Sequence, residues 1–176
     1  MARAELAGAD PALVVEVTIM TQFTHESLLS HRRVVTGLND KGQSAVIIDG
    51  LVPVLADISA ALVWQSKVQP ADNSGNQDTS EPYTVEMLHN PGSTFAICTF
   101  PPGTHEHMHA TDTIDYLVIL SGHVTLVTEK GEALLGPGDL VVDRGVFHGW
   151  RNLSDRPCVA VAVNIPAHPV GKGRTV

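Results

Sequence analysis

Between Pro101 and His109 the chain reads Pro-Pro-Gly-Thr-His-Glu-His-Met-His, with Asp115 six residues further on. A separate imidazole, His148, sits within Gly145-Val146-Phe147-His148-Gly149-Trp150-Arg151-Asn152. In an extended backbone, alternate side chains share one face, so His105, His107 and His109 are expected in a row along a strand. Neutral imidazoles with a carboxylate form a donor set for a divalent first-row metal. Of the donors, His109 and His148 are expected as ligands, with His107 and Asp115 as conditional ones. His105, nearest the Pro-Pro turn, is expected at the entrance or surface.

The segments that must hold these groups are short and β-like. Arg33–Gly37, the turn Asn39-Asp40-Lys41-Gly42 and Ser44–Ile48 read as a hairpin. Further strands are expected at 60–65, 94–100, 114–120, 124–128, 133–135, 140–142 and 157–165, punctuated by Gly and Pro turns. Almost no helical periodicity is present, which points to an antiparallel sandwich or barrel. Leu13-Val14-Val15-Glu16-Val17-Thr18-Ile19 is a further β-branched stretch and a candidate for a strand exchanged with a partner subunit. Residues between Pro70 and Pro82 are nearly devoid of apolar side chains, as expected of a mobile loop over a pocket or in solvent.

Bulk properties exclude several classes. The 176 residues fit one domain with a substantial core. A net charge of −8, from 11 Lys and Arg against 19 Asp and Glu, argues against nucleic acid or an anionic membrane as partner. Cys98 and Cys158 each lie in an apolar run and are expected as buried free thiols. No basic-then-apolar leader opens the chain and no apolar run is long enough to span a bilayer, so a cytoplasmic protein is expected.

The two histidine segments resemble the motifs of small single-domain cupins. Gly103, the cluster ending at His109, Asp115 and Gly122 follow the order of the first motif. Pro137-Gly138-Asp139, then Gly145, His148 and Asn152, follow the second. The resemblance implies a jelly-roll barrel, a double-stranded β-helix, with its motifs within residues 92–165. It also implies an extension over 1–31, the barrel over 32–170 and a tail over 171–176. Two registers are open at the site. With His107 and His109 as the pair, five residues precede Asp115, more than the family uses, and a β-bulge would have to absorb the excess. With the family spacing, the pair becomes His109 and Thr111, and threonine is a poor ligand.

What the resemblance implies about function is one divalent transition metal (iron first, with zinc, manganese or nickel as alternatives) in a homodimer acting on a small molecule. Similar single-domain proteins include cupin oxidoreductases of aromatic or polyketide pathways, so a dioxygenase-like oxidoreductase is expected. A non-redox lyase, isomerase or cyclase and a non-catalytic small-molecule binder stay open. Tyr116, Trp150, Phe100 and Phe147 are candidates to line the pocket, each with core packing as the alternative. Arg151 and Arg144 are candidates to clamp an anion, with surface pairing to acids as the alternative.

Overall fold

The computed structural model describes residues 31–53 and 59–176; the stretch 13–19 lies outside them. Among these residues ten strands follow one another: β1 (Arg32–Leu38), β2 (Ser44–Leu51), β3 (Ala60–Ser66), β4 (Ser93–Phe100), β5 (Thr113–Ser121), β6 (Val124–Thr128), β7 (Gly131–Leu135), β8 (Leu140–Asp143), β9 (His148–Arg151) and β10 (Cys158–Pro166). Among the described residues a single 3-10 turn, Val85–His89, lies between β3 and β4. Every strand pairing is antiparallel. The fold is all-β.

Two sheets enclose the core. One runs β3-β4-β10-β5-β8 and the other β7-β6-β9. On β5 the buried residues are Thr113, Asp115, Leu117 and Ile119, alternating with more exposed neighbours, as the period-two pleat requires. Ile119, Val124, Cys158 and Ala160 form one apolar cluster, with Trp150 of the smaller sheet packed against it. Leu117, Val141 and Ala162 form a second. Small side chains at Cys98, Ala162 and Asn164 leave the space between the sheets partly unfilled, and there a cavity opens.

Two motif glycines are demanded by backbone approach. Gly122 at φ +71° would press a Cβ against the Pro157 carbonyl, and Gly145 at the same φ would press one against Thr111. Asn152 closes the second motif as a buried knot. Its amide donates to the carbonyls of Phe100 (2.8 Å) and Arg156 (2.9 Å), while its oxygen accepts from the Ser154 amide and hydroxyl.

Two outlying segments are tied to the barrel. The β1–β2 hairpin is a separate sheet, held by the buried Arg33, which donates to the Val63 carbonyl at 3.0 Å and forks onto Asp78. Asn76 donates to the Leu38 carbonyl at 2.6 Å. The polar loop, expected over a pocket or in solvent, supplies these contacts to the hairpin and lines a groove against it through Asp72, Asn73 and Asn76. At the other end, the Thr175 N–H donates to the Ala110 carbonyl at 2.9 Å, and the Thr175 hydroxyl accepts from the Ala110 N–H at 3.0 Å. The Arg174 N–H donates to Asp112 at 2.9 Å. No helix among the described residues is long and apolar enough to cross a membrane.

Candidate functional site

The histidine segment is not the continuous strand its alternation suggests. Pro101 and Pro102 bring no N–H to a ladder and Gly103 turns at φ +77°, and residues 105–108 join no β-ladder. The segment touches β9 at two isolated rungs, Thr104 with Asn152 and His109 with His148. At the second rung, His109 N–H donates to the His148 carbonyl at 2.7 Å and His148 returns the bond at 2.8 Å. Directly opposed residues of such a pair present side chains to the same face. The two imidazoles accordingly lie with ring centroids 4.5 Å apart.

Each ring is held by its own backbone. Nδ1 of His109 lies 2.8 Å from the His107 carbonyl, and Nδ1 of His148 lies 2.8 Å from the Val146 carbonyl. A carbonyl only accepts, so both Nδ1 atoms carry the hydrogen and both Nε2 atoms keep a lone pair for a ligand. Asp143, 4% exposed, places Oδ2 3.0 Å from the same His148 Nδ1, while its Oδ1 accepts the Gly145 N–H. A carboxylate behind an imidazole is a familiar support of metal-binding histidines.

The electrostatics follow from burial. Burial pulls the His148 pKa down, but Asp143 and the Val146 carbonyl outweigh it, leaving a raised value. Burial lowers the His109 pKa against the opposing His107 carbonyl bond. Asp115 is 8% exposed on β5, and desolvation raises its pKa against the pull of Asn164 and Thr113. Its Oδ1 has no hydrogen-bond partner. Burial first, and the nearby Asp115 charge second, push the Cys98 thiol up to about 12. Cys98 and Cys158 are both free.

These groups open onto a cavity of about 770 Å³. His109, His148, Asp115 and Thr111 form its polar end; Trp150, Phe100 and Leu117 lie along its apolar wall. Trp150 meets His148 edge-on at 5.8 Å and Phe100 at 5.4 Å. The remaining candidates lie elsewhere. His105 and His107 are exposed and absent from the lining. Tyr116 is 45% exposed because it follows inward Asp115 in the pleat. Phe147, 40% exposed, lines a separate groove with Val146 and Val170. Arg151 follows inward Trp150 and pairs with Glu106 (3.4 Å) and Glu132 (2.5 Å), the surface pairing weighed against an anion clamp. Arg144 is exposed.

Sequence reasoning passed over two contributors. Asp143 lies inside the second motif, five residues before His148, and its contact with that ring was not foreseen. Tyr83 lines the cavity from a segment remote from both motifs, and nothing local marks it.

As to a metal, the donors fit in kind: two Nε2 lone pairs and a buried carboxylate oxygen without a partner. Among the described residues no three His, Cys, Asp or Glu side chains are gathered at the spacing of a complete ligand cluster.

Residues 96–164 match the family model described as the Cupin domain. The chain is 45% identical over 64 residues to Phomopsin biosynthesis cluster protein C' of Diaporthe leptostromiformis, spanning 36% of this chain and only 34% of that relative. It is 28% identical over 143 residues to the cupin-domain-containing oxidoreductase srdB of Neurospora crassa, covering 77% of this chain and 73% of the relative. Among solved structures, a cupin 2 conserved barrel domain protein from Salinispora arenicola superposes with a TM-score of 0.41 at 22% identity, over 52% of this chain and 74% of that one.

Proposed function

We propose that this cupin is a metal-dependent oxidoreductase of dioxygenase type acting on a small aromatic or polyketide-type molecule. The observation that carries the reading is the facing pair His109 and His148, each with Nδ1 held by a backbone carbonyl and Nε2 free at the end of an aromatic-walled cavity. The oxidoreductase names of relatives such as srdB support it. In this reading His109 and His148 would hold one divalent transition metal, iron by preference, with Asp115 as the conditional further donor. Such a centre, when bound, would supply open coordination positions for dioxygen beside a chelating substrate.

The protein's own side chains do the rest. Trp150 and Phe100 take up a planar ring by stacking. Asp143 holds the His148 ring in one orientation and keeps its proton on Nδ1. The apolar wall of Leu117 and Ala162 excludes water from the polar end. The protein works as a homodimer in this proposal.

A non-redox lyase, isomerase or cyclase is a second reading, favoured by the buried Asp143–His148 pair and by Asp115. Such groups suit proton transfer at the same cavity. Elemental analysis of the purified protein, followed by an oxygen-electrode assay of Fe(II)-loaded protein with catechols and β-dicarbonyls, separates the two. Oxygen uptake matched to substrate loss is expected. Substrate consumed without oxygen uptake transfers the proposal to the second reading.

A further inference from the structure

The cavity has a third wall that neither motif supplies. The segment after Pro82 crosses the open side of the barrel and brings Tyr83, Val85 and Leu88 into the lining. It is anchored at both ends. Before it, the Thr79 hydroxyl accepts the Gln65 N–H at 3.0 Å and Glu81 takes the Gln65 amide and Lys67. After it, Asn90 donates to the Ser66 carbonyl at 2.7 Å, and the Thr94 hydroxyl donates to the Met87 carbonyl at 3.1 Å. The segment is a fixed wall, and Tyr83 is the phenol set in it.

Charge is distributed unevenly around this space. No lysine or arginine lines the cavity among the described residues, and Arg151, next to Trp150 in the chain, is engaged by Glu106 and Glu132. Two buried carboxylates stand at the polar end, Asp115 in the lining and Asp143 behind His148. A divalent cation at the histidines would be balanced by these two charges, with no surplus to hold an anion. An anionic ligand would lose its hydration here without gaining a counter-ion.

We infer that Tyr83 donates a hydrogen bond to the oxygen of a neutral, planar ligand, and that the site discriminates against the anionic counterpart of the same shape. The inference rests on the aromatic-ligand reading above and sharpens it to an uncharged carbonyl or phenol compound. Desolvation, with Cys98 and Asp115 nearby, raises the Tyr83 pKa, so the phenol remains a donor throughout the neutral range. The polar handle and apolar ring of a tyrosine suit a pocket whose other walls are Trp150 and Phe100.

The test is isothermal titration calorimetry of the full chain, as purified, with 2-naphthamide and 2-naphthoate, which share size and shape but differ in charge. The amide is expected to bind at least about tenfold more tightly than the carboxylate, the scale of one unpaired charge or lost hydrogen bond. Tyr83→Phe is expected to weaken the amide about tenfold with an unchanged melting temperature, whereas Tyr116→Phe, on the outer face, leaves binding unchanged. Equal or tighter binding of the carboxylate overturns the neutral-ligand inference while the aromatic reading survives. Unchanged amide affinity in Tyr83→Phe removes the phenol from the site. Failure of the wild type to bind either probe overturns the aromatic reading and this inference with it.

Discussion

At the scale of single residues the site depends on which atom of each imidazole is occupied. With Nδ1 spoken for by backbone, His109→Ala or His148→Ala removes a lone pair that no neighbour replaces, and either variant is expected to purify without metal by elemental analysis. His105→Ala and His107→Ala alter exposed side chains and are expected to retain it. Retention by the His109 variant, or loss in the His105 variant, would show the ligand register to be different. Asp143→Asn removes the charge behind His148 and is expected to lower metal affinity about 10- to 100-fold in a competition titration with a chelator. The pair His109 and His148 was legible from the chain because both motifs place it whichever register is chosen. Tyr116 and Arg151, pocket candidates with core packing and surface pairing as their alternatives, lie off the cavity for a physical reason that the sequence itself contains. Asp115 and Tyr116 are consecutive in one strand, as are Trp150 and Arg151, and a pleated strand cannot turn both members of such a pair inward.

At the scale of elements, turns and knots fix where the strands deliver these residues. Asn152 is 1% exposed and fully bonded across the loop that follows β9. Asn152→Ala strands the Phe100 and Arg156 carbonyls and is expected to cost about 2–3 kcal/mol in urea unfolding. A loss below about 0.5 kcal/mol would mean water replaces the amide without penalty. Strand positions were readable because apolar runs alternate with Gly and Pro turns at regular spacing. The Tyr83 wall was not, because its place is decided by bonds from Gln65 and Ser66, which lie far away in the chain and carry no pattern of their own.

At the scale of the whole molecule, outlying pieces are joined to the barrel by a few polar contacts. Arg33 holds the Asp78 carboxyl down at about 2. A carboxylate depressed in the folded state adds stability above its unfolded pKa, near 4, and that stability is lost as the pH falls toward 2. The melting temperature of the wild type is therefore expected to drop more between pH 5 and about pH 3 than that of Asp78→Asn. Parallel curves would show that the clamp contributes nothing.

The outward face of the larger sheet exposes Tyr116, Leu120, Leu140 and Val142 on adjacent strands, with β8 at the sheet edge. In the proposed homodimer an edge strand with an apolar face pairs with its own copy across a twofold axis. Leu140→Lys with Val142→Lys is expected to shift the species seen by sedimentation velocity from dimer to monomer; an unchanged dimer would place the contact elsewhere.

The single rung between His109 and His148 has an evolutionary corollary. Imidazoles recur at every second position upstream, at His107 and His105, so the segment is a ratchet whose teeth are chemically alike. Loss or gain of one residue between Gly103 and His109 would bring Met108 or Ala110 to the rung and silence the site. A gain of two residues in the same stretch would set His107 in the place of His109, whereas a loss of two would bring Thr111 there, so this loop can lengthen by pairs.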